Sequence, residues 1–267
     1  VLGFKNHYYI SPQIWAWKEG RIKAIKRDVN QMYTILPFEK DFYENKHNYP
    51  VHYVGHPLLD AIEAFKKNQS VDFKKVYGLD DRPIIALLPG SRKQEISKLL
   101  TEMLRIVDAY PQFQFIIAGA PSLNAEFYKP FIKQENVQLI LNDTYNLLNN
   151  SYAAIVTSGT ATLETALFNV PQVVVYKGNE ISYQIAKRVI KLKYISLVNL
   201  IMDEQIVTEL IQKDCNTATI KKEFEKVINN LDRSKMLVKY HELSDLLGGG
   251  GASERVINII KKTLRAF

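Results

Sequence analysis

From Pro83 onward, short unbroken apolar runs alternate with stretches in which apolar residues return about every three or four positions. The runs at 84–88, 113–118, 137–141, 153–156 and 172–176 predict buried strands, and the periodic stretches between them predict helices over 92–109, 122–134 and 143–150. Strands separated by helices require right-handed crossovers, which give a parallel sheet covered on both faces. Before Pro83 the pattern is similar: strand 7–10, a Trp-rich helix 13–27, strand 31–36, helix 38–46, and strand 51–54 ending at Gly55-His56-Pro57. So few strands do not complete a doubly wound domain of roughly 100 residues. The chain also begins at Val1 rather than Met, so the expectation is that the N-terminal part of the first domain lies outside it. Beyond residue 200 the pattern is helical, over 204–213, 217–230, 232–246 and 252–265. Gly248 to Gly251 reads as a flexible joint rather than a phosphate loop, because no strand precedes it.

Two strand ends carry candidate chemistry. The strand at 153–156 leads through Ser158, Gly159 and Thr160 into a helix that bears Glu164. Unpaired backbone N–H groups at the positive end of a helix dipole hold phosphate oxygens, and a carboxylate one turn further in reaches a ribose hydroxyl. The strand at 84–88 breaks at Pro89 and Gly90 and enters a helix at Ser91, with Gln94 placed to complete a capping box. Arg92 sits at that helix start, where a cation opposes the dipole unless an anion shares the space. Each segment alone also fits an ordinary capped helix, but both lie at the carboxyl ends of predicted parallel strands, where such sheets bind ligands.

Composition narrows the class. Over 267 residues, 46% hydrophobic and 24% charged content excludes disordered and fibrous chains, and no apolar run is long enough to span a bilayer. The single Cys215 excludes an intramolecular disulfide and a cysteine metal cluster, and reads as a buried small hydrophobe in a cytoplasmic protein. A net charge of +7 favours an anionic partner. Basic residues cluster at Lys18, Arg21, Lys23, Lys26 and Arg27, and again at Lys187, Arg188, Lys191 and Lys193. Both clusters interleave with apolar residues, so each suits either a helix lying on an anionic membrane surface or a core helix with a solvated face.

The ordered set of Tyr8-Tyr-Ile-Ser-Pro-Gln-Ile-Trp-Ala-Trp17, Leu36-Pro-Phe-Glu-Lys-Asp-Phe-Tyr43, Val54-Gly-His-Pro57, Leu88-Pro-Gly-Ser-Arg92, Ser158-Gly-Thr-Ala-Thr-Leu-Glu164, Ser196-Leu-Val-Asn-Leu200, Glu209-Leu-Ile-Gln-Lys-Asp-Cys215 and Gly251-Ala-Ser-Glu-Arg255 resembles the lipid-A-disaccharide synthase family over essentially the whole chain. The resemblance implies the α/β GT-B architecture of two Rossmann-like, doubly wound parallel-sheet domains, the first incomplete here. Residues 1–80 would be the remainder of the acceptor-side domain and 81–235 the UDP-sugar-binding domain. The helices of 236–267 would cross back to the first domain or swap between subunits of a homodimer.

It further implies metal-independent, inverting transfer of 2,3-diacylglucosamine from its UDP conjugate to 2,3-diacylglucosamine 1-phosphate, giving a β-1,6-linked disaccharide and UDP without a cofactor. The setting would be the cytoplasmic face of the inner membrane, peripheral to an anionic surface. By position in the matching motifs, Gly90, Ser91, Arg92, Ser158, Gly159 and Thr160 would hold the diphosphate, Glu164 would bind ribose, and Asn199 would contact donor or nucleotide from an opposing loop. The family's acidic motifs, which would supply the catalytic base, have no counterpart in this chain. His56 is a candidate substitute base, or else a residue that hydrogen-bonds backbone at its turn. Trp15 and Trp17 are hydrophobic contacts of open purpose. Two alternatives remain: another GT-B UDP-sugar enzyme, such as an epimerase, which leaves the 8–17 block and Asn199 unexplained, and a basic nucleic-acid-binding protein, for which no recognition motif or aromatic platform is present.

Overall fold

A computed structural model describes residues 4–68, 72–179, 183 and 192–265. Two compact units emerge, one holding the described parts of 4–67, 185–192 and 242–265 and the other those of 68–184 and 193–241.

The first unit contains a parallel three-stranded sheet in the order β1 (His7–Tyr9), β2 (Gln31–Thr34), β3 (His52–Tyr53). Its helices are α1 (Ile22–Asp28), α2 (Pro37–Asp41), which continues into a π-turn over Phe42–Lys46, and α3 (Pro57–Lys67). The predicted helix 13–27 forms only from Ile22, after a 3-10 turn at Glu19–Arg21. Upstream, Lys18 is left-handed at φ 56°, and the segment is tied down by side chains instead of a helical ladder. Glu39, buried on α2, accepts hydrogen bonds from Ser11 Oγ at 2.6 Å, Trp15 Nε1 at 3.0 Å, and the backbone N–H groups of Ile35 at 3.1 Å and Leu36 at 3.0 Å. Its burial is possible because four donors, two of them from the distant 11–15 segment, meet it.

The same unit takes in the C-terminus. The guanidinium of Arg255, on the last helix, donates to Val54 O at 2.7 Å and to Gly250 O at 2.9 Å, while Asp60 accepts from the N–H of Gly251 and, at 3.3 Å, of Ser253. The glycine run is therefore a tethered turn, not a free joint. Gly55 must be glycine here, since its φ is 82° and an added Cβ would come within 2.5 Å of the Arg255 guanidinium.

The second unit is a six-stranded, wholly parallel sheet in the order β6 (Val137–Leu141), β5 (Gln114–Gly119), β4 (Ile84–Leu88), β7 (Ser151–Thr157), β8 (Gln172–Tyr176), β9 (Glu209–Ile211). Its helices are α4 (Phe73–Tyr77), α5 (Lys93–Leu104), α6 (Ala125–Tyr128), α7 (Thr144–Asn149), α8 (Thr160–Leu167), α9 (Leu197–Met202), α10 (Thr217–Ile228) and α11 (Asn230–Leu246), the last running on into the first unit before α12 (Ala252–Arg265). Every residue of β4 is buried, as a strand covered on both faces requires. The core joins Ile85, Leu87, Phe115, Ile155 and Val173 from the sheet to Ile96, Leu100 and Phe224 from the helices, and Cys215 lies within it. Burial pushes the Cys215 thiol up to about 11, so it stays protonated and unreactive.

Two expectations change here, and a third is untouched. The helix placed at 122–134 shrinks to α6, whose N-terminus is fixed by the Asn124 side chain accepting from Phe127 N at 3.3 Å. The segment 204–213 is no helix: Glu209–Ile211 adds an edge strand to β8, because Leu210 buries into the sheet while Glu209 turns to the preceding loop. The basic stretch 184–191 lies outside the described residues.

Removing the carboxylate that gathers four donors leaves all of them unsatisfied. Glu39→Ala should therefore destabilise the first unit by about 3 kcal/mol, read as a lower urea midpoint for signals from Trp15 and Trp17. A shift below about 1 kcal/mol would show that water replaces Glu39 and that the carboxylate does not organise this segment.

Candidate active site

The sheet order places the site. From β4 the chain steps outward to β5 and β6, then returns to lay β7 against the other side of β4. Ligands of open parallel sheets bind at such a reversal, outside the strands' carboxyl ends. Leu88 pairs with Val156, so the turns following β4 and β7 leave the sheet side by side. A cavity of about 470 Å³ lies there, walled by Gly90, Ser91, Arg92 and Glu95 from the first turn, Thr157 to Ala161 with Glu164 from the second, and Gly119 to Pro121 beyond β5.

Seven of the eight residues expected to bind nucleotide line this one cavity: Gly90, Ser91, Arg92, Ser158, Gly159, Thr160 and Glu164. Their roles differ in detail from the expectation. Ser91 and Gln94 form no capping box; α5 starts one residue later, with Arg92 extended at the N-cap and no side-chain cap bond. The early N–H groups of that helix are thus not claimed by Ser91. At the second turn, Ser158 donates its N–H to Val175 O at 3.1 Å and its hydroxyl to Ile195 O at 2.8 Å, so it fastens the turn to its surroundings. Among the described residues no acceptor meets the N–H groups of Gly159, Thr160 and Ala161, and they form the positive end of α8 beside the cavity. Gly159 permits this path at φ 155°. Gly90 is constrained twice over: its φ is 107°, and a Cβ there would stand 2.9 Å from Glu95 Oε2 and 3.2 Å from Thr157 Cγ2.

The carboxyl groups complete the lining. Burial raises the pKa of Glu164, whose Oε1 accepts from Tyr145 Oη at 3.3 Å, and burial likewise raises Glu95, against the opposing pull of Arg92. Burial disfavours the charged form of each carboxyl, a cost that hydroxyl donors of a ligand would offset. Thr157 also lines the cavity, where its Oγ1 is buried with no hydrogen-bond partner among the described residues. Sequence reasoning missed Glu95, Thr157 and the Gly119 to Pro121 turn; each lies within three residues of a strand end or helix start already singled out, or at the end of the neighbouring strand.

Asn199 is elsewhere. It is fully buried, donates to Val207 O at 2.8 Å and Glu209 Oε1 at 2.9 Å, and accepts from the N–H groups of Ile206 at 2.8 Å and Val207 at 2.9 Å. With all four of its hydrogen-bonding positions filled, its side chain offers nothing to a ligand. His56 belongs to the first unit, where Nδ1 accepts from Leu58 N at 3.2 Å and burial lowers its pKa to about 4. The imidazole is therefore neutral with its proton on Nε2, and the lone pair a base needs is engaged by backbone; this is the turn-bonding role.

A sequence profile of lipid-A-disaccharide synthetase matches residues 3–256. The lipid-A-disaccharide synthase of Coxiella burnetii strain CbuG_Q212 is 40% identical over 265 residues, covering 97% of this chain and 69% of the relative. The chain belongs to the lipid-A-disaccharide synthase family. A further synthase, from Syntrophus aciditrophicus, is 38% identical with 98% of this chain and 71% of its own length covered. Family membership makes the protein a glycosyltransferase of lipid A biosynthesis. Solved structures show the same GT-B fold at low identity. The UDP-GlcNAc 2-epimerase from Neisseria meningitidis bound to UDP-GlcNAc superposes with a TM-score of 0.66 at 17% identity, covering 97% of this chain and 69% of that one. The Methanocaldococcus jannaschii enzyme in complex with UDP-GlcNAc and UDP gives 0.59 at 14%, over 88% and 62%.

Proposed function

We propose that this chain transfers 2,3-diacylglucosamine from its UDP conjugate to 2,3-diacylglucosamine 1-phosphate, forming the β-1,6 disaccharide and releasing UDP. The observation that carries this reading is the cavity at the sheet reversal, where unclaimed amides of α8, the start of α5 and Arg92 converge with Glu164. The diphosphate rests on the Gly159, Thr160 and Ala161 amides with Arg92 opposite, and Glu164 accepts from ribose hydroxyls. As the acceptor hydroxyl attacks the anomeric carbon, the bond to the β-phosphate oxygen breaks and its electron pair leaves with UDP. Fixed amide dipoles and the guanidinium meet the charge that grows on that oxygen, an effect on the order of 10²- to 10³-fold in rate for each such donor. Neither the cavity's two carboxyls, which face the nucleotide, nor His56, which is engaged by backbone, is assigned as the base that takes the acceptor's proton.

Calorimetry with UDP tests the donor site. The wild-type chain should bind, Arg92→Ala should weaken binding by about tenfold or more through loss of charge-assisted hydrogen bonds, and Glu164→Ala should also weaken it. A folded wild-type chain that takes up no UDP would refute the assignment.

Placement on the inner face of the inner membrane is part of the same proposal. No helix among the described residues is long and apolar enough to cross a bilayer. On α1, Ile22 and Ile25 are buried while Lys23, Lys26 and Arg27 are exposed, and upstream of them Trp17 is half exposed with Lys18 Nζ 4.3 Å from its ring centre. That arrangement fits contact with anionic headgroups. The chain should co-sediment with phosphatidylglycerol vesicles and not with phosphatidylcholine vesicles, and Lys23→Glu with Lys26→Glu should release it. Equal recovery with both lipids would count against a membrane face.

A further inference from the structure

The turn that carries the α8 amides is held from one side by an edge strand. Ser158 donates its hydroxyl to Ile195 O at 2.8 Å. The peptide that follows that carbonyl is gripped by Glu209, whose Oε1 accepts from Ser196 N at 2.9 Å and Ser196 Oγ at 2.8 Å, and whose Oε2 accepts from Ile195 N at 2.9 Å. Oε1 also accepts from the Asn199 side chain at 2.9 Å, and Asn199 closes the loop back to Ile206 and Val207 just before β9. Ser196 in turn caps α9, accepting from Asn199 N at 3.3 Å. Glu209 stands on β9 beside β8, the strand whose Val175 carbonyl accepts the Ser158 N–H. Ser158 is thus fixed at both its hydroxyl and its amide by elements tied together through one carboxylate.

We propose that Glu209 is a positioning residue for the diphosphate site, acting through Ile195 and Ser158 to hold the amides of Gly159, Thr160 and Ala161 in place. It touches no ligand itself. Four charge-assisted hydrogen bonds to one carboxylate define the 195–199 turn far more rigidly than backbone pairing alone. The Ser196-Leu-Val-Asn-Leu200 and Glu209-Leu-Ile segments form the two halves of this clamp, which accounts for Asn199 without any ligand contact. The inference rests on the donor-site reading, because only a ligand on those amides feels their position.

The test compares affinities for UDP and for uridine by titration of the full chain, in the wild type, Glu209→Gln, Ser158→Ala and the double variant. Glu209→Gln keeps the shape but turns one acceptor into a donor that faces an N–H group. The expected result is a loss of roughly tenfold in UDP affinity, because the amides shift without losing any direct contact residue, with uridine affinity little changed. Ser158→Ala should give a similar loss, and the double variant should be no worse than the weaker-binding single variant, because both act on one connection. Additive losses, or equal losses for UDP and uridine, would overturn the positioning role. Should Glu209→Gln fail to fold, Ser158→Ala decides: an unchanged UDP to uridine ratio would refute the connection. A folded wild-type chain that does not bind UDP would overturn the donor-site reading and this inference with it, whereas wild-type binding with an unaltered Glu209→Gln would overturn this inference alone.

Discussion

The parallel pairing of β4 with β7 is the constraint on which the site depends. Both strands are buried along nearly their whole length, so their register is set by core packing and not by any ligand. Because Leu88 lies against Val156, the two following turns must emerge as neighbours, and each leads directly into a helix. Two helix N-termini therefore converge on one cavity as a consequence of how the sheet is wound. The apolar core and the cavity lining are the same pair of strands seen at two levels.

Buried or half-buried carboxylates connect the sequence blocks. Glu39 binds the 8–17 block to the 36–43 block, Asp60 receives the 251–255 turn, and Glu209 joins the 196–200 segment to the sheet edge. In each case one residue satisfies several backbone or side-chain donors at once, so irregular segments are fixed where no regular ladder could hold them. This explains why motifs far apart in the chain act as pairs. It also gives Arg255 a structural meaning, since its guanidinium bonds the carbonyl that precedes the Gly55 turn.

The strands were legible because burial on both faces writes them as continuous apolar runs, and the two phosphate-ready turns were legible because glycine and small hydroxyl residues followed those runs. The helix over 13–27 was not. Ile14, Ile22 and Ile25 are spaced as in a helix, yet the side-chain bonds of Ser11 and Trp15 to a distant carboxylate decide the local path, and no local pattern shows them. Asn199 illustrates the same limit: its position in a motif pointed to a ligand, while its partners at Val207 and Glu209 place it in the framework. The edge strand at Glu209 to Ile211 is three residues long, too short for period-two alternation to stand out from a helical background. Glu95 escaped notice because only the fold brings its carboxyl over Gly90.

The amides at the start of α8 are proposed to receive the diphosphate. Amide chemical shifts of the isotopically labelled chain, followed as UDP is added, address it residue by residue. The account predicts that Gly159, Thr160 and Ala161 move most, together with the first amides of α5, while Asn199 and His56 respond weakly. Saturable binding of UDP with unmoved α8 amides, and with the largest shifts elsewhere, would contradict it.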